Sequence, residues 1–140
     1  MSFIPEYANP NKTTTSGSKG VLCKSIKIDI AGGDGFTTAT GYPAGALPKD
    51  AQVIGVLYTV PTAVSGGTVS AATLAITVGG ATVFSQNVFS TSHGATFNTA
   101  YMNTFGSAGF STDQAIVYTP TLTGAGATAG VIYINILYVV

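Results

Sequence analysis

Few residues in this sequence are equipped for chemistry. His93 is the only histidine and Cys23 the only cysteine among 140 residues. A Ser-His-Asp triad needs its histidine beside a nucleophile on a strained turn. The chain has no G-x-S-x-G motif to supply that turn. Ser92 next to His93 is adjacency along the chain, not a catalytic geometry. The surrounding Gly and Ser residues predict an exposed loop histidine without a role. One His and one Cys cannot assemble a zinc set. A single cysteine excludes an intramolecular disulfide, and its strand-like surroundings predict a buried, inert thiol.

The acidic residues are Glu6, Asp29, Asp34, Asp50 and Asp113. Glycoside hydrolysis would need two of them facing each other across a sugar, and no pair stands in an aromatic-lined context. Asp29 and Asp34 flank a glycine turn and have the oxygen chemistry for calcium. The simpler expectation is a strand-edge aspartate and a turn aspartate. Gly17-Ser18-Lys19-Gly20 lacks the spacing of a phosphate-binding loop. Gly124-Ala125-Gly126, with Gly130, runs into a strand rather than a helix, so no helix N-terminus meets a phosphate there. Asn11-Lys12-Thr13 is a glycosylation sequon in form alone, because MSFIPEYANPNK has neither the basic region nor the apolar run of a secretory signal. The expectation is a protein without catalytic residues, metal or cofactor.

Charge narrows the partners. Charged residues make up 7% of the chain, the net charge is +0, and 46% of residues are hydrophobic. An average soluble protein carries roughly 25% charged residues. So little charge gives weak colloidal repulsion, and a surface of this kind is expected to be covered by partners. All five basic residues are lysines: Lys12, Lys19, Lys24, Lys27 and Lys49. Without arginine, bidentate phosphate and base contacts are lost. Neither nucleic acid nor an anionic membrane is therefore an expected partner. The longest apolar stretch, 131–140, contains Asn135 and is too short for a membrane helix.

The elements that position these residues are strands. Ile26, Ile28 and Ile30 alternate with Ser25, Lys27 and Asp29, the period of a half-buried strand. A glycine turn and a short extended run over 36–40 follow. The next strand covers 52–60, with Ile54, Val56, Tyr58 and Val60 on one face, and Pro61 ends it. Residues 73–78 form a strand, and Gly79-Gly80 turns it into a hairpin with 81–88. Further strands cover 115–122 and 131–140. The last is apolar on both faces, as a central or partner-covered strand would be. The spacing predicts an all-β, antiparallel β-sandwich of about eight strands over 20–140.

Residues 1–19 read as an extended N-terminal arm, punctuated by Pro5 and Pro10. Its apolar Phe3, Ile4 and Tyr7, with Lys12, suit docking onto a neighbour. The segment 86–113 is the least regular. Its aromatic stretch, Phe97, Tyr101, Met102, Phe105 and Phe110, suits either core packing or a contact surface, where aromatics and Met are enriched.

The run Asp29, Phe36-Thr37-Thr38, Leu47-Pro48-Lys49-Asp50-Ala51, Val53-Ile54-Gly55-Val56, Val60-Pro61-Thr62-Ala63 and Leu74-Ala75-Ile76-Thr77-Val78-Gly79 resembles small virion proteins of tailed bacteriophages. Residues 20–140 resemble in character the capsid cement, or decoration, proteins of the Bordetella phage and related short-tailed phages. The resemblance implies a jelly-roll sandwich on the outer surface of a phage head and no catalysis. It implies the major capsid protein as partner, with copies paired as homodimers; decoration proteins elsewhere are often trimers. The alternative is a head or tail fibre module that touches the host surface and binds carbohydrate, with 97–110 as its site.

Overall fold

A computed structural model describes residues 20–96 and 112–140. They form eight strands: β1 Leu22–Asp29, β2 Tyr42–Leu47, β3 Gln52–Ser65, β4 Ala71–Val78, β5 Ala81–Asn87, β6 Ser92–Thr96, β7 Gln114–Thr123 and β8 Ala129–Val139. Two four-stranded sheets run in the orders β1-β8-β3-β6 and β2-β7-β4-β5. All six strand pairings are antiparallel.

The pairings nest: β1 with β8, β2 with β7, β3 with β6, and β4 with β5. That is one long folded hairpin, rolled so that β3 also meets β8 and β4 meets β7. A two-sheet barrel of eight strands wound this way is a jelly roll. Its tip is the hairpin at Gly79-Gly80, where both residues have positive φ, as a two-residue turn demands.

Alternation puts one apolar face of each sheet inside. Ile26 and Ile28 from β1, Ile132, Ile134 and Ile136 from β8, and Val53, Val56 and Val60 from β3 line the first sheet's inner face. Leu74, Ile76 and Val78 from β4, Phe84 from β5, and Ile116 and Tyr118 from β7 oppose them. Tyr58 packs edge-on against Phe84, with ring centroids 5.2 Å apart.

Three local expectations are corrected, and two strands are added. β3 does not stop at Pro61 but continues to Ser65. Its register against β8 shifts between Thr59 and Thr62, and a bulge there accommodates a residue that has no N–H for the ladder. A second shift, between Val53 and Gly55, puts Val53 in the core and leaves Ile54 half-buried. Residues 36–40 are not an extended run throughout but close in a turn: Thr40 N donates to Thr37 O at 3.2 Å, and Ala39 has φ of 59°. Finally, β2 and β6 are edge strands that carry no apolar alternation, and sequence periodicity passes over both.

Candidate functional site

The arm residues Phe3, Ile4, Tyr7 and Lys12, and the aromatic residues Phe97, Tyr101, Met102, Phe105 and Phe110, lie outside the described residues. The structure does place the other chemistry-bearing groups. His93 is not in a loop but on edge strand β6, exposed and opposite Thr59 of β3. Cys23 is not buried but exposed on β1. Its thiol lies 3.6 Å from Asn135 Oδ1, which also accepts a 2.7 Å hydrogen bond from Ser25 Oγ. Among the described residues, no three His, Cys, Asp or Glu side chains converge as metal ligands would.

Two surfaces stand out. The first is the outward face of the sheet β1-β8-β3-β6. Register lays its side chains in rows. Lys27, Tyr133, Thr59 and His93 cross the four strands in one row; Ser25, Asn135, Leu57 and Ala95 cross in the next; Cys23, Leu137 and Gly55 form a third. Tyr133 is 43% and Leu57 37% exposed, which is unusual for large apolar side chains on neighbouring strands. Leu137 and Val139 are half-buried beside them. Lys27 Nζ lies 5.9 Å from the Tyr133 ring centroid, at the outer limit of a cation–π contact. Charge on this face is confined to the β1 side, so its centre is neutral, with Tyr133, Leu57 and Leu137 set among the uncharged polar Asn135 and Thr59.

The second is a cleft of about 260 Å³ at one end of the sandwich, where the β1–β2 and β7–β8 connections meet. Its walls are held by hydrogen bonds. Asp34 Oδ2 accepts from Asp29 N at 2.7 Å, Asp29 Oδ1 accepts from Gly32 N at 3.1 Å, and Thr38 Oγ1 accepts from Leu122 N at 3.0 Å. Across the cleft, Ala125 N donates to Thr68 Oγ1 at 3.0 Å, and Thr68 N donates to Ala125 O at 2.9 Å. Gly124 has φ of +90°, and a Cβ there would lie 2.0 Å from Thr68 O. Only glycine fits that approach.

Beneath the cleft, Tyr118 donates to Gly35 O at 2.9 Å, and its ring stacks on Tyr42 with centroids 5.1 Å apart. A Cβ on Gly35 would fall 2.2 Å from Tyr42 Cε1, so the close stack requires glycine there too. Burial raises the Tyr118 pKa to about 12, with further push from the Asp34 carboxylate and Tyr42. Tyr42 moves the other way. The Thr37 side chain lowers its pKa most, desolvation opposes, and the Thr37 amide and Thr40 side chain assist. Sequence reading passed over this cleft, because its lining comes from connections whose meeting depends on the roll of the sheets.

No family model matches the sequence, and no curated protein matches it. Among solved structures, the fold is similar to a chain of the cyanophage Pam1 capsid asymmetric unit. The TM-score is 0.56 at 16% identity, over 89% of this chain and 87% of that chain. At that identity the likeness is one of fold.

Proposed function

We propose that this chain is a non-enzymatic structural virion protein that binds the outer surface of a phage head. There it cements neighbouring major capsid protein subunits and so stabilises the shell. The observation that carries this reading is the fold likeness, over 89% of this chain, to a chain of a phage capsid unit. The neutral centre of the first sheet's outward face, with Tyr133 and Leu57 exposed on it, supplies a surface for such contacts.

The size of that face sets the mechanism. Four strands about 4.8 Å apart, each about eight residues long at ~3.4 Å per residue, project roughly 500 Å². A stable pairwise interface takes about 800 Å² per partner. One sheet face is therefore too small for tight binding alone. Apolar burial at ~25 cal/mol per Å² contributes several kcal/mol before the costs of association. Repetition over a shell, and an arm laid along a neighbour's sheet edge, make up the remainder. Deleting residues 2–15 is expected to weaken capsid binding while leaving the sandwich folded, as read by particle sedimentation and circular dichroism. Full binding by the truncated protein removes the arm from this account.

The first experiment is the copy number of this protein in purified virions, relative to the major capsid protein. A ratio near one supports shell-wide cement. A handful of copies per particle moves the role to a fibre, collar or tail, and absence from the particle refutes a virion role.

A further inference from the structure

We infer that the cleft between the β1–β2 and β7–β8 connections is a binding site for a neutral saccharide, taking one sugar ring. The inference is independent of the capsid reading and concerns a different surface from the outward sheet face.

Size comes first. A single trapped water needs about 10–15 Å³ of cavity space. The 260 Å³ of the cleft is thus far more than a trapped water needs and suits a single small ring. The lining is mixed in the way a sugar requires. Ile30, Phe36 and Leu122 give an apolar floor, and Thr37, Thr38 and Asp34 stand around it, the Thr37 hydroxyl already engaged with Tyr42. Ligand sites pair a largely apolar lining with a few placed polar groups. Asp34 Oδ2 is fixed by the Asp29 amide, while Oδ1 accepts no hydrogen bond from another described residue. A carboxylate oxygen held in this way is a strong acceptor for hydroxyl donors. Thr38 Oγ1 already accepts from Leu122 N, so its proton remains to be donated. Gly33, Gly124 and Gly126 on the rim present no side chain, so a ring can approach the backbone closely.

Charge then selects the ligand class. Asp34 is the one ionisable side chain of the lining, and no lysine reaches it. Phosphorylated and acidic sugars are repelled. An ammonium ligand would have a single exposed carboxylate, and an exposed ion pair contributes little. A neutral polyol uses several hydrogen bonds together with the apolar floor. The walls are tied by hydrogen bonds on both sides, which lowers the ordering cost of binding.

The test uses the full chain and the methyl glycosides of glucose, galactose, mannose and N-acetylglucosamine, read by saturation-transfer and protein-detected NMR. At least one glycoside is expected to show transfer, with shift changes confined to residues 30–38 and 122–127. Asp34→Asn retains an acceptor for the Asp29 amide but loses the charge, and is expected to weaken binding about tenfold. Ala125→Trp fills the cleft from an exposed position and is expected to abolish transfer, which keeps the test decisive if Asp34→Asn disturbs the turn. No transfer from any of the four glycosides overturns the inference. So does transfer that survives Ala125→Trp, or Asp34-dependent binding of butylammonium in place of the sugars.

Discussion

Tyr118→Phe removes one oxygen from the wall of the sandwich and allows a test in which both sign and size are fixed in advance. At neutral pH it deletes the 2.9 Å hydrogen bond to Gly35 O and leaves that carbonyl without its donor. The ring and its stack on Tyr42 remain. The cost is about 1 kcal/mol. The phenol pKa, about 12 in the fold, against ~10 in the unfolded chain, makes this advantage depend on pH. The raised value means that the folded state holds its proton where the unfolded state has lost it. The contribution is therefore complete below pH ~10 and disappears as pH rises through ~12. At ~1.4 kcal/mol per pH unit, the loss before screening is about 1.4 kcal/mol by pH 11. Solvent screening at the edge of the sandwich reduces this by about half, to ~0.7 kcal/mol. The wild-type advantage over Tyr118→Phe is thus expected to shrink from about 1 kcal/mol at pH 7 to ~0.3 kcal/mol at pH 11. Urea unfolding of both proteins at the two pH values measures it, and the difference between them cancels the titration of the other tyrosines and lysines. A gap that stays constant, or widens with pH, refutes the account of Tyr118.

Three further outcomes follow from the same packing. Phe84→Ala empties a fully buried site against Tyr58 and should cost about 3–5 kcal/mol, seen as a melting point lower by roughly 10 °C or more; a loss below 1 kcal/mol would mean that the sheets close over the gap. Gly124→Ala sets a Cβ against Thr68 O at positive φ, with an expected cost of about 2 kcal/mol in chemical denaturation; an unchanged midpoint would show that the 124–128 loop is not pinned. The double variant Leu57→Asp with Tyr133→Asp should keep its melting temperature within a few degrees, since both side chains face solvent. It should reduce occupancy on phage particles at least about tenfold, and normal occupancy would remove the first sheet's outward face from the proposed interface.

Much of the sandwich is written locally. Ile26, Ile28, Ile132, Ile134 and Ile136 carry a period of two that only a one-sided strand satisfies. Gly79-Gly80 marks its hairpin because two adjacent positive φ values are open to glycine at little cost. The apolar second face of β8 is likewise legible, and the structure puts that strand in the interior of its sheet. Edge strands β2 and β6 were not legible, because Tyr-Pro-Ala-Gly-Ala-Leu buries only Leu47 completely and Ser-His-Gly-Ala-Thr buries no side chain completely, so neither shows an apolar alternation. Their strand character comes from the hydrogen bonds of a neighbour, not from their own pattern. The same holds for β3 beyond Pro61, where a bulge absorbs what propensity alone would read as a stop.

Composition, charge and periodicity are properties of residues and near neighbours, and they determined an all-β chain. Whether Cys23 faces solvent or core, and whether Asp34 meets a loop 90 residues away, depends on sheet register and on how the long hairpin rolls. A one-residue shift in register exchanges the two faces of a strand, and the nested pairing brings the two ends of the chain's described domain together as β1 and β8. The cleft and the apolar rows of Tyr133 and Leu57 exist only once those long-range choices are made.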